Sequence, residues 1–164
     1  MKLSATITPL LVSSFAASKS LSFFGSDQHV LDDLSVPGDN PFHFCQDPND
    51  YSLDIKYVDL TPNPPSPGKQ LTIEAKGNFT KKIEKGAYVN LSVKYGLIRI
   101  INQQADLCDQ LKNIEEECPV EGDKTITKNV DLPKEIPPGH YTVLADVYTE
   151  DKERITCLEA SVHF

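Results

Sequence analysis

The stretch that most restricts the fold is residues 136–164, which reads as two β-strands around a turn. Pro137, Pro138 and Gly139 are turn formers, and after them Tyr141, Val143, Ala145 and Val147 alternate with Thr142, Leu144, Asp146 and Tyr148. That two-residue period belongs to a strand with one apolar face. Residues 149–154 form a charged turn, and the return strand carries Ile155, Cys157, Leu158, Ala160, Val162 and Phe164. The apolar set changes parity between Cys157 and Leu158, which predicts a β-bulge or a strand buried on both faces. A hairpin with one apolar face needs a second layer to cover it.

The same period recurs upstream. Leu53, Ile55 and Tyr57 alternate with Ser52, Asp54 and Lys56 in a strand ending at Leu60. The proline-rich run 61–68 cannot continue a ladder, because proline has no N–H to donate. Leu71, Ile73, Ala75, Gly77 and Phe79 share one face of a second strand. After a basic turn at 80–86, Val89, Leu91, Val93, Tyr95 and Leu97 form a third strand that runs on through Ile98, Ile100 and Ile101. Ile126, Val130 and Leu132 mark another. The expected class is all-β, with two antiparallel sheets packed as an Ig-like sandwich. A true immunoglobulin core is excluded, since the chain has no Trp.

At 164 residues the chain is one domain long. Its formal charge of −8 argues against a nucleic-acid partner, which calls for a clustered basic face. No apolar run is long enough for a spanning helix. Residues 1–18 resemble a secretory leader, with Lys2 before an apolar stretch and Ala16, Ala17 and Ser18 at its end. Residues 19–41 read as a propeptide or loose arm, or alternatively as an edge segment in which Leu34 and its apolar neighbours pack. The domain is expected over 42–164. Four cysteines in such a chain suggest two disulfides, with three pairings open. Cys108 and Cys118 flank one acidic stretch and close it locally, leaving Cys45 with Cys157. No CxxC spacing supports a metal site, and no cofactor is expected. Asn78 and Asn90 head the sequons Asn-Phe-Thr and Asn-Leu-Ser, with Asn78 adjoining the basic turn.

Motifs for catalysis are missing from the sequence. It has no GxSxG, GxxxxGK[ST] or HExxH, and His29, His43, His140 and His163 are scattered. An enzymatic role is therefore not expected. Glu115, Glu116 and Glu117 read as a solvated acidic turn, and Lys81, Lys82 and Lys85 as a charged hairpin tip or a contact for an anionic membrane.

The cysteine spacing, the segment from Cys118, Pro119 and Val120 into KTITKNVDLPKEIPPGHYTV, and the ending ADVYTEDKERITCLEASVHF resemble the ML lipid-recognition family. Its fungal phosphatidylglycerol/phosphatidylinositol transfer branch is the most similar, and it is related to lumenal sterol-binding proteins. The resemblance implies an Ig-like sandwich with sheets splayed around one lipid, and no catalysis. It implies the same two disulfides, while a third family bridge would fall at residues 63–68, where this chain has prolines. The implied cavity mouth lies at 98–101, with Ile100, and at 132–136, with Leu132, Pro133, Lys134 and Ile136. The expected walls are Ile73, Val93, Tyr95, Leu97, Ile126 and Val130, with Val143, Ala145 and Val147. Lys134 is expected to face a headgroup and favour anionic phospholipid over sterol. The expected partners are one phospholipid or sterol and, transiently, a membrane surface, for a monomer in a vacuole lumen or outside the cell. A sandwich that recognises a protein or glycan surface is the alternative.

Overall fold

A computed structural model describes residues 34–164; the expected leader at 1–18 and the arm up to residue 33 lie outside the described residues. Its strands are β1 (Phe42–Phe44), β2 (Leu53–Thr61), β3 (Gln70–Ile83), β4 (Tyr88–Tyr95), β5 (Ile98–Asp106), β6 (Val120–Asp131), β7 (His140–Tyr148) and β8 (Arg154–His163). A 3-10 turn at Pro48–Asp50 and a short helix α1 (Leu107–Lys112) interrupt them. One sheet has the order β1-β8-β7-β4-β5, the other β2-β3-β6, and every pairing is antiparallel. This is the expected all-β sandwich.

Alternation fixes the inner faces. On β3, Leu71 and Ala75 stand opposite Val130 and Ile126 of β6, and on β7, Val143 and Ala145 stand opposite Val93 and Leu91 of β4. Where the alternation breaks, a bulge explains it. The β2–β3 register slips between Ile55 and Tyr57, leaving Lys56 as the extra residue. Tyr57 therefore faces outward and donates to Glu74 Oε1 at 2.8 Å, while Val58 and Leu60 take the buried places that the simple alternation gave to Tyr57. On β8 the extra residue is Ile155, two residues ahead of the expected parity change. Here Ile155, Thr156 and Cys157 are all buried, so the strand is covered on both faces as foreseen.

Three expectations need correction. The third strand does not run on through Ile101: it reverses at Gly96 and Leu97, with Tyr95 opposite Ile98 and Gly96 at φ +55°. A two-residue loop needs such a left-handed residue, and the apolar tip hid it in a continuous hydrophobic run. The basic turn is strand up to Ile83, which is buried, so Asn78 lies mid-strand between Asp54 and Asp123 and adjoins no loop. Lys81 and Lys82 pair with Glu153 and Glu84 on the surface. The acidic stretch between Cys108 and Cys118, expected to be loop-like, starts inside α1, whose N-cap Asp106 accepts from the Asp109 N–H, and Glu115, Glu116 and Glu117 follow outside the helix.

Packing begins before Phe42. The Val36 N–H donates to the Phe42 carbonyl and Phe44 to Leu34, while Val58 and Leu60 of β2 donate to Pro37 and Asp39. Residues 34–40 thus stitch β1 of one sheet to β2 of the other. A Cβ on Gly38, at φ +108°, would lie 2.2 Å from the Val58 carbonyl oxygen, so only glycine suits this crossing. Of the two expected readings for 19–41, the edge segment describes Leu34 and its successors, and the domain boundary set at Phe42 falls inside the packed chain.

The core splits into two clusters. One gathers Val36, Phe44, Tyr51, Val58, Leu60, Leu71 and Cys157; the other gathers Phe79, Ile83, Ala87, Leu111, Val120 and Ile155. The disulfides Cys45–Cys157 and Cys108–Cys118 anchor one cluster each, in the expected pairing. The first spans 112 residues and the second 10. Loop-closure entropy then gives about 4.8 kcal/mol for the first and about 2.7 kcal/mol for the second. Denaturant unfolding of the two double Cys→Ala variants should show the larger loss for the Cys45 and Cys157 pair; equal losses would contradict this ranking.

Candidate ligand cavity

Beside the first cluster, and again between the two, the sheets do not mesh. Small side chains at inner positions, Ala75 and Gly77 on β3 and Ala160 on β8, leave space where larger ones would close the layer. Two apolar chambers result. The larger, about 490 Å³, lies toward the β4–β5 hairpin; Leu71 and Ile73, Val93, Val143, and Ala160 and Val162 form its walls. Ile100, Ile101 and the loop residues Leu132, Pro133, Ile136 and Pro137 surround its mouth. Glu135 is the one charged residue on this lining. The size and apolar walls fit a small organic ligand or lipid chain.

The smaller chamber, about 200 Å³, lies further along the same strands, lined by Ile55, Ala75, Phe79, Leu111, Ile126 and Leu158 among others. Lys124 and Glu116 sit at its edge, joined by an ion pair of 2.7 Å. Thr156 also lines it, and the Thr156 hydroxyl is buried without a hydrogen-bond partner.

The mouth is held in shape by aromatic residues. Tyr141 donates to the Pro137 carbonyl at 2.9 Å and Tyr95 to that of Pro138 at 3.0 Å. The Tyr141 ring packs against Tyr95 and Phe164, with centroids 5.1 and 5.5 Å away. Burial pushes the Tyr141 phenol pKa up, and the neighbouring Tyr95 adds to this. Gly139 exchanges backbone hydrogen bonds with Phe164, tying the loop to the chain's end.

With this geometry in view, known proteins offer three comparisons. A model of the ML domain matches residues 39–164. The chain belongs to the ML domain family. It is 55% identical to the phosphatidylglycerol/phosphatidylinositol transfer protein of Aspergillus oryzae, over 98% of this chain and 95% of that one. It is 52% identical to the protein of the same name from Pyricularia oryzae, over all of this chain and 93% of that one. A Niemann-Pick type C2 protein from the Japanese carpenter ant shares the fold at a TM-score of 0.52 and 12% identity, covering 74% of this chain and 97% of its own. The two disulfides suit an oxidising secretory or lumenal compartment.

The expected site residues of this ML domain divide by position. Ile73, Val93, Ile100, Leu132, Pro133, Ile136 and Val143 line the larger chamber, and Ile126 the smaller. Tyr95 braces the mouth. Val130 and Ala145 are half-buried on inner faces beside the chambers, and Val147 packs on the second core cluster. Leu97 is fully exposed at the hairpin tip. Lys134 is exposed, with its side chain against Gly68 in the proline-rich turn and outside the lining, where Glu135 stands instead. Asn90 is half-buried in mid-strand between Gln104 and Asp146. Sequence reasoning passed over Tyr141, Ala160, Val162 and Phe164 as lining, although the alternation of the last hairpin had already placed their face.

Gly139 is constrained at the mouth. It has φ +151°, and a Cβ there would lie 2.5 Å from the Tyr95 ring. Gly139→Ala should therefore destabilise the protein by about 1–3 kcal/mol. In a Tyr95→Ala background the cost should fall clearly, because the ring is gone. Equal costs in both backgrounds, measured by chemical denaturation, would show that the clash plays no part.

Proposed function

We propose that this protein is a carrier that takes one phospholipid, phosphatidylglycerol or phosphatidylinositol, between its sheets and moves it between membranes inside a secretory-pathway lumen or outside the cell. The observation that carries the reading is the apolar chamber of about 490 Å³ opening beside an apolar hairpin. The close relatives named as transfer proteins for these lipids support the choice of ligand. Burying an acyl chain gains about 0.8 kcal/mol per methylene, enough to hold a lipid out of water without any chemical step.

Delivery requires contact with a bilayer, and the hairpin tip is suited to it. Leu97 is 100% exposed, Ile98 66% and Ile100 53%, while Ile100 and Ile101 also line the chamber. An apolar patch continuous with an apolar mouth can dip into lipid so that a chain passes without crossing water. Lys94 and Arg99, opposite each other just below the tip, supply positive charge for an anionic surface.

Fluorescent phosphatidylglycerol moving from donor to acceptor vesicles tests this. The protein should accelerate transfer, and Leu97→Asp with Ile98→Asp should slow it at least about tenfold, since Asp entering hydrocarbon costs about 3 kcal/mol where Leu or Ile gains about 0.5 kcal/mol. Thermal stability should not change, because both side chains are already in solvent. Equal transfer rates for the variant, or no acceleration by the parent protein, would refute the reading.

A further inference from the structure

Strand β6 carries two lysines on its inner face. Its exposed positions are Glu121, Asp123, Thr125, Thr127, Asn129 and Asp131, whereas Val120, Lys124, Ile126, Lys128 and Val130 are buried or half-buried. In register, Lys124 stands opposite Gly77 and Lys128 opposite Ile73, both on the apolar inner face of β3. An ammonium on such a face loses hydration and needs a partner or a path to water. Lys124 has Glu116 at 2.7 Å. Among the described residues, no carboxylate lies within 4 Å of the Lys128 ammonium.

The place of Lys128 is specific. Its pair Ile73 lines the larger chamber, while the next inner positions, Ile126 and Ala75, line the smaller one. By register it stands between the two, half-buried and outside both linings. Strand β6 is also the outer edge of its sheet, as β5 is of the other, and neither is hydrogen-bonded beyond that edge. Half-buried beside this free edge, Lys128 keeps a path to solvent.

We infer that Lys128 binds the phosphate of a two-chain phospholipid at this junction, with one acyl chain directed into each chamber. This rests on the carrier reading above and specifies how the lipid lies. Along β3 the chambers run from Leu71 to Phe79, about 26 Å at 3.3 Å per residue. That approaches the roughly 30 Å thickness of a bilayer's hydrocarbon core, which two chains span end to end. A headgroup between two chains pointing apart uses this length, and the unpaired cation lies where the phosphate then falls. The Lys124–Glu116 pair, already neutralised, closes the smaller chamber without competing for the anion.

The test uses the full-length secreted protein and vesicles of phosphatidylcholine carrying minor fractions of phosphatidylglycerol and diacylglycerol, with bound lipid identified by mass spectrometry. Lys128→Gln should lower the ratio of bound phosphatidylglycerol to bound diacylglycerol about tenfold, the loss of one charge-assisted contact. Ile126→Trp, which fills the smaller chamber, should reduce phosphatidylglycerol uptake but leave single-chain lysophosphatidylglycerol bound. Millimolar inorganic phosphate should not displace bound phosphatidylglycerol; displacement would indicate a free-anion site and overturn the proposal. An unchanged lipid ratio in Lys128→Gln, or a parallel loss of both lipids, overturns it too. Should the parent protein take up none of these lipids, the carrier reading itself fails, a result distinct from loss of headgroup preference.

Discussion

The structure depends on hydrogen-bonding its two sheets together along one side, while on the other only α1 and the Cys108–Cys118 bridge link β5 to β6 at one end. Residues 34–40 hydrogen-bond to β1 and to β2 at once, and the Cys45–Cys157 bridge fixes the adjoining β8 to the residue that follows β1. On the opposite side β5 and β6 remain unpaired edges. A sandwich sewn on both sides would bring its inner faces to the usual spacing of about 10 Å and fill the layer. Sewn on one side, it keeps an apolar gap whose walls are set by small residues such as Ala75, Gly77 and Ala160. The two separate core clusters supply the stability that a continuous core would otherwise give, one beside the stitched seam and one at the α1 end.

The mouth follows from that arrangement. A gap that opens at one end needs a rim that neither collapses nor frays, and the hydrogen bonds of Tyr95 and Tyr141 to consecutive proline carbonyls hold the loop there. The β4–β5 hairpin then projects beyond the rim, with Leu97 and Ile98 in solvent. Exposed aliphatic residues cost a soluble protein solubility, and their place next to an apolar chamber gives them a use at a lipid surface.

Much of this was legible in the chain. The period-2 alternation of residues 141–147 and 71–79 placed the inner faces, and the cysteine spacing suggested the pairing that the structure shows. Three features were not legible, each for a physical reason. The reversal at Gly96 was hidden because its tip is apolar, where a hairpin turn is ordinarily polar. The bulge at Lys56, and the exact place of the foreseen one in β8, depend on cross-strand register, which a single strand does not encode. The seam at residues 34–40 works through backbone hydrogen bonds and one buried Val36, leaving no periodic pattern to read. Lys134 and Lys128 show the same limit from the other direction. The loop lysine drew attention through its place beside Leu132 and Pro133, but its side chain lies on Gly68, whereas the lysine on the inner face of β6 was not singled out.

That the gap exists to hold a lipid is the central claim, and native mass spectrometry of the protein purified from a eukaryotic secretory host tests it most directly. The account predicts a one-to-one adduct whose mass and organic extract identify a phosphatidylglycerol or phosphatidylinositol, with the protein remaining folded and both disulfides intact. A protein that flies without lipid, and stays so after incubation with vesicles of these phospholipids, would contradict it.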